Sequence, residues 1–212
     1  IDAETGTQRW RFQTGKQVFA TPLVAGGIVY IGSLDGTFYA LDAATGEKKW
    51  AFPTGTGKEI RSSAALKDGL LYFGSFDGNL YVLKQEDGSL VWKYHTGGYV
   101  SSSPAIVDDT VFFGSWDRFV YALNRKTGEE LWKFSTGGSV FSTPAVSDGM
   151  VFIGSDDSFF YALDARTGAL KWKFKTEDNV RGSAGVAGGK VIFGSYDGYV
   201  YAVNAKDGTL LW

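Results

Sequence analysis

The 212-residue chain carries 21 Lys and Arg against 23 Asp and Glu, a formal charge of −2. No segment gathers basic residues, so the electrostatic footprint of a nucleic-acid binder is missing. There is no Cys, which removes disulfides and thiolate metal sites, and no apolar run approaches the roughly 18–20 residues of a membrane span. Aromatics at 16% together with 29 Gly suit short strands joined by tight turns.

Reading from the N-terminus, IDAETGTQRWRF ends one repeat before five complete ones follow, at about 10–49, 50–91, 92–131, 132–171 and 172–211. Trp10, Trp50, Trp92, Trp132, Trp172 and Trp212 mark the period of about 40 residues, and only Trp116 falls outside that series. The one longer interval carries its extra residues in PTGTGKEIRSS (53–63), where a loop is expected. In the fourth repeat, SVFSTPAV (139–146), MVFIGS (150–155), FFYALDA (159–165) and ALKWKF (169–174) read as four strands. Turn residues Ser147-Asp148-Gly149, Asp156-Asp157-Ser158 and Arg166-Thr167-Gly168 separate them, and no helical period competes. The terminal NAKDGTLLW repeats the phase of IDAETGTQRWRF, so six fourth-strand copies serve five repeats. That redundancy predicts an arc or a piece of a longer array rather than a closed five-membered ring. Any signal peptide or lipid anchor would lie upstream of Ile1.

Four antiparallel strands per repeat predict an all-β fold, a single β-propeller domain over 1–212 whose sheets stack radially to bury their apolar faces. The fourth-strand Trp, opposite the Gly of the preceding turn, is expected to be a large ring wedged between adjacent blades. Asp35, Asp77, Asp117, Asp157 and Asp197 recur in the second turn, where a carboxylate accepts from the amide two residues on.

The segments DAATGEKKW (42–50), NRKTGEELW (124–132) and DARTGALKW (164–172), with Gly-Ser-x-Asp-Gly-x-x-Tyr-Ala-Leu before them in outline, resemble the tryptophan-docking motif of the pyrroloquinoline-quinone (PQQ)-like repeat family. That family includes quinoprotein alcohol dehydrogenases and the outer-membrane assembly lipoprotein of the Bam complex. The resemblance implies a propeller, usually of seven or eight blades, and an extracytoplasmic location, periplasmic or at the cell surface. It does not imply a single activity.

Catalytic signatures are weak. The sole His95 occupies a position held by Gln13, Pro53, Ser135 and Lys175 in other repeats and reads as a solvated loop residue. GTGKE (55–59) lacks the Ser or Thr and the helix of a phosphate loop. The pairs Asp108-Asp109 and Asp156-Asp157 lack the alternating spacing of a calcium loop. No catalytic residue of the quinoprotein enzymes maps onto this chain, so neither a cofactor nor a metal is expected; PQQ with calcium is the minority reading.

Positions released from the repeat carry the functional signal. One set opens the first strand: Gln17-Val18-Phe19, Glu59-Ile60-Arg61, Tyr99-Val100-Ser101, Ser139-Val140-Phe141 and Asn179-Val180-Arg181. The other is the turn residue Leu34, Phe76, Trp116, Asp156 or Tyr196. Topology puts both sets on one face around the channel, which predicts an exposed surface of Phe19, Arg61, Phe76, Tyr99, Trp116, Phe141, Arg181 and Tyr196. Aromatics and Arg are enriched where proteins meet partners, so the expectation is a non-catalytic scaffold presenting this rim to a protein or peptide. Guanidiniums flanked by rings would suit a peptide, a carboxylate-bearing ligand or a sugar. The alternatives are the propeller portion of a PQQ-dependent oxidoreductase, or a sensor domain of a larger receptor or kinase.

Overall fold

The computed structural model describes residues 1–212 and contains strands only. Four sheets have four antiparallel strands each in sequential order, over 23–53, 65–95, 105–135 and 145–175. The fifth, over 185–204, has three strands, and its fourth is reduced to the bridge Val203↔Leu210. These are blades 1 to 5 of a propeller. In blade 4 the strands are Ala145–Ser147, Met150–Gly154, Phe159–Asp164 and Leu170–Lys175.

The first strand is shorter than the sequence pattern suggests: Ala145–Ser147 rather than 139–146. Residues 139–142 are instead committed to the neighbouring blade and the adjacent turn. The Val140 amide donates to the Ser115 carbonyl of blade 3, the Ser139 carbonyl accepts from Asp156, and the Ser142 carbonyl accepts from the Ser102 hydroxyl. The short first strands Ala65–Lys67, Ala105–Val107, Ala145–Ser147 and Gly185–Ala187 lie side by side at the hub.

Each fourth strand carries a register shift just before its Trp, as between Ala162 and Leu163 opposite Trp172. Such a bulge adds local twist and re-aims the side chain. The indole partner differs from the expected one: it is the Gly of the next blade's third turn, not of the preceding turn. Trp132 lies flat on Gly168, where a Cβ would stand 2.7 Å from the ring, and its Nε1 donates to the Ala165 carbonyl at 3.0 Å. Trp10, Trp50, Trp92 and Trp172 dock in the same way on Gly46, Gly88, Gly128 and Gly208.

Four apolar clusters fill the junctions between successive blades; that between blades 3 and 4 joins Phe112, Val120, Trp132, Val140, Ile153 and Tyr161. The Val or Ile that is invariant at the opening of the first strand packs here: Val140 is fully buried against Gly114 of the preceding blade, and Val180 against Gly154. Trp10 already occupies the docking place on blade 1, while Trp212 is 62% exposed. The five blades therefore form an open arc, not a closed ring.

The turn Asp does more than form its turn. Asp157 accepts from the Phe159 amide at 3.0 Å, from the Tyr161 hydroxyl at 2.6 Å, and from the Gly137 amide at the end of the preceding blade at 2.6 Å. Asp35, Asp117 and Asp197 repeat this tie between blades. Burial opposes ionisation of Asp35 and Asp197, but these hydrogen bonds outweigh it and hold both below the usual carboxylate range. On the partner side, burial and then the bond to the carboxylate push Tyr201 up to about 12 and Tyr81, Tyr121 and Tyr161 further.

Candidate functional site

One backbone hydrogen bond per blade joins the two variable sets. The amides of Leu34, Phe76, Trp116, Asp156 and Tyr196 donate to the carbonyls of Gln17, Glu59, Tyr99, Ser139 and Asn179 at 2.8–2.9 Å. The opening of the first strand is thereby pinned beside the second turn in every blade, and successive blades bring successive pairs into contact around the hub.

The eight side chains singled out from sequence form one unbroken series. The Arg61 guanidinium lies 5.4 Å from the Phe19 ring and 4.8 Å from Phe76. Phe76 stacks on Tyr99 at 4.8 Å, and both contact Trp116, at 5.3 and 5.0 Å. Trp116 meets Phe141 at 4.4 Å, and Arg181 sits 4.2 Å from Phe141 and 5.2 Å from Tyr196. Six rings run across all five blades, with Arg61 and Arg181 inserted near the two ends, each over ring faces where the quadrupole attracts it.

Two features depart from expectation. Phe76 is buried, at 9% exposure, with Arg61 and Tyr99 on it, so it is a floor of the rim and not part of its surface; Leu34 is buried likewise. Trp116 and Phe141 are half-buried, which leaves Phe19, Tyr99 and Tyr196 as the exposed rings. Phe76 sinks because the rings of Tyr99 and Trp116 from blade 3 close over it, a contact across the junction that one repeat read alone does not reveal.

Neither Arg is a free cation. Arg181 makes a two-pronged pair with Asp156, Nε to Oδ1 and a terminal nitrogen to Oδ2, both at 2.8 Å, and its own pKa is raised by that partner. Arg61 pairs with Glu59 at 2.7 and 2.6 Å. Asp156 and Glu59 were visible among the variable positions, but their pairing joins residues across a junction or along a strand opening. Ser101 and Ser139, members of the same variable set, lock Trp116 from both sides: its Nε1 donates to the Ser101 hydroxyl at 2.9 Å, and its carbonyl accepts from the Ser139 hydroxyl at 3.1 Å. The face is rigid, aromatic and close to neutral.

Elsewhere, His95 is exposed as expected but ends a strand, Leu90–His95, with Nδ1 3.2 Å from the Asn79 amide oxygen. Asp108 and Asp109 sit at the opposite face, where Asp109 pairs with Arg125 and Lys126. No three His, Asp, Glu or Cys side chains converge as metal ligands would. No helix is long and apolar enough to cross a membrane.

This architecture is found in known proteins. The chain superposes on BamB from Moraxella catarrhalis with a TM-score of 0.84 over 96% of its length at 23% identity, and on a quinohemoprotein alcohol dehydrogenase from Pseudomonas putida with 0.82 over 96% at 19%. It spans 66% of the first of these chains and 42% of the second. A stretch of 47 residues, 22% of the chain and 12% of the relative, is 38% identical to the outer membrane protein assembly factor BamB of Burkholderia pseudomallei. The family model described as outer membrane protein assembly factor BamB matches residues 1–98, 55–137 and 77–212, together the whole length. The chain belongs to that family, as a β-propeller of PQQ-like repeats.

Proposed function

We propose that this chain is a non-catalytic scaffold that presents the rim from Phe19 to Tyr196 to a protein partner, in keeping with the assembly-factor role named for its family. The observation that carries the reading is the continuity of the rim: eight non-repeating residues from five blades contact one another in series, while the residues beneath them repeat. Since Glu59 and Asp156 already occupy the two guanidiniums, the rim does not favour a carboxylate ligand. It suits an uncharged stretch of extended peptide whose apolar side chains lie on Tyr99, Trp116 and Tyr196. Because the rings and guanidiniums are locked before association, little side-chain ordering entropy is lost on binding. We place the protein outside the cytoplasm, as the family's outer-membrane role implies.

The quinoprotein reading finds little support in the residues. The rim acids are engaged by Arg, and there is no cysteine pair to cover a quinone. The two readings separate in one experiment: protein incubated with PQQ and Ca²⁺ and then desalted. The scaffold reading expects no retained quinone absorbance and no dye-linked alcohol oxidation. Retention of both would replace it with an oxidoreductase.

A further inference from the structure

The face opposite the rim, where first strands turn into second and third into fourth, carries a groove at the blade junctions, and the grooves differ. Between blades 2 and 3 it is filled by Arg125, whose side chain is only 5% exposed. Its Nε donates to the Asp108 carbonyl at 2.8 Å, a terminal nitrogen meets the Asp68 carboxylate, and Asp109 lies 3.3 Å away. Other repeats have Ala43, Gln85, Ala165 and Ala205 at this position.

Between blades 3 and 4 the plug is gone. Ala165 stands in place of Arg125, Thr110 in place of Leu70, and Phe112 in place of Tyr72, leaving an open cleft of about 640 Å³. Asp108, Asp148 and Asp164 line it, with Phe112 at its base. The acceptors that hold Arg125 survive: Asp108 is in repeat register with Asp68, and the Asp148 carbonyl with that of Asp108. The other junctions lack the combination. The cleft between blades 1 and 2 carries Lys49 and Lys84 against Glu86 and has Gly26 where Asp68 would be, and between blades 4 and 5 Met150 packs into the space beside Ala205 and Trp172.

We propose that the cleft between blades 3 and 4 binds an arginine side chain of a protein partner, with its guanidinium on the Asp108 carboxylate and the Asp148 carbonyl. Arg125 is the chain's own example of the arrangement, one junction away. The planar fork matches a carboxylate and a carbonyl together, which a lysine ammonium does not. Three carboxylates against Arg166 favour a cation, and Lys171 engages only Asp164, at 3.0 Å. Arg166 is in register with Lys126, but the carboxylate that Lys126 pairs with, Asp109, is replaced here by Gly149. Arg166 is thus the internal competitor for the cleft. The site lies on the face away from the rim and does not depend on the scaffold reading.

The test titrates isotope-labelled protein with a blocked Gly-Ser-Arg-Ser-Gly peptide and follows the backbone amides. Shifts are expected at Asp108, Gly149 and Ala165 and not at Trp116 or Tyr196. A citrulline analogue, which keeps the shape and loses the charge, should bind about tenfold more weakly. Asp108→Asn should weaken the arginine peptide similarly, and Arg166→Ala should tighten it. Ala165→Arg, which copies the neighbouring junction, should abolish binding; should it not fold, Asp108→Asn carries the test. Equal response to the arginine and citrulline peptides, or no response at these amides up to millimolar peptide, overturns the proposal. Either result leaves the rim untouched.

Discussion

The junction between blades 3 and 4 and the rim above it arise from the same repeat, yet only the packed core of the junction is fixed from blade to blade. At the junction Trp132 lies on Gly168 and Val140 on Gly114, with no room for a further carbon: a Cβ on Gly114 would stand 2.2 Å from the valine methyl. At the rim, Trp116 and Phe141 meet where the next junction places Asp156 and Arg181. Each rim contact is replaced by a different one that still connects neighbouring blades. Close packing leaves one solution; a half-solvated surface leaves many.

The largest break in this comparison should come from Trp132→Ala, which empties a junction and removes the bond to the Ala165 carbonyl. Large-to-small core changes of this kind cost about 3–5 kcal/mol, read as a lower urea midpoint. Gly168→Ala attacks the same contact from the other side. Its φ of +73 and the indole 2.7 Å from the new methyl combine a left-handed backbone with a clash, for about 1–3 kcal/mol. Trp116→Ala with Arg61→Ala removes rim contacts only, and for half-buried rings and an exposed cation about 1–2 kcal/mol is expected. A loss from the rim pair equal to that from Trp132→Ala would erase the distinction between the two regions.

The smallest effect is the most diagnostic of the ties between blades. Tyr201, Tyr81, Tyr121 and Tyr161 titrate higher folded than unfolded, so their contribution is complete below pH about 10 and fades as pH rises through about 12 for Tyr201. Asp35 and Asp197 titrate lower folded than unfolded. Their contribution is present above pH about 3.9 and is lost as pH falls through their depressed values. Near-ultraviolet titration of tyrosinate should therefore show late-titrating groups in the wild type, and Asp157→Asn should bring Tyr161 forward. A Tyr161 that titrates unchanged in that variant would mean the carboxylate is not its partner.

Sequence reading found the blades because the period is written in large residues: six Trp, five turn Asp and a Gly-Ser before each turn. It found the rim because the variable letters alternate with an invariant Val or Ile. Features held between repeats were harder to read. The residues 139–142 look like strand but serve the preceding blade and the adjacent turn, and the Trp docks a full repeat ahead, so neither partner is near in sequence. The burial of Phe76 and the pairing of Arg181 with Asp156 arise across junctions in the same way. Arg125 carries no signal of its own in the sequence, since a lone Arg in a turn reads as solvated and its partner Asp68 comes from another repeat.

The rim's role is tested most directly by placing the photo-crosslinker p-benzoylphenylalanine at Tyr99, at Tyr196 and, as a control, at the exposed Leu131 of an outer strand, in cells that express the protein. Tyr99 and Tyr196, on blades 3 and 5, should capture the same polypeptide, and Leu131 should not. Equal capture from Leu131, or none from either rim position, would contradict the account.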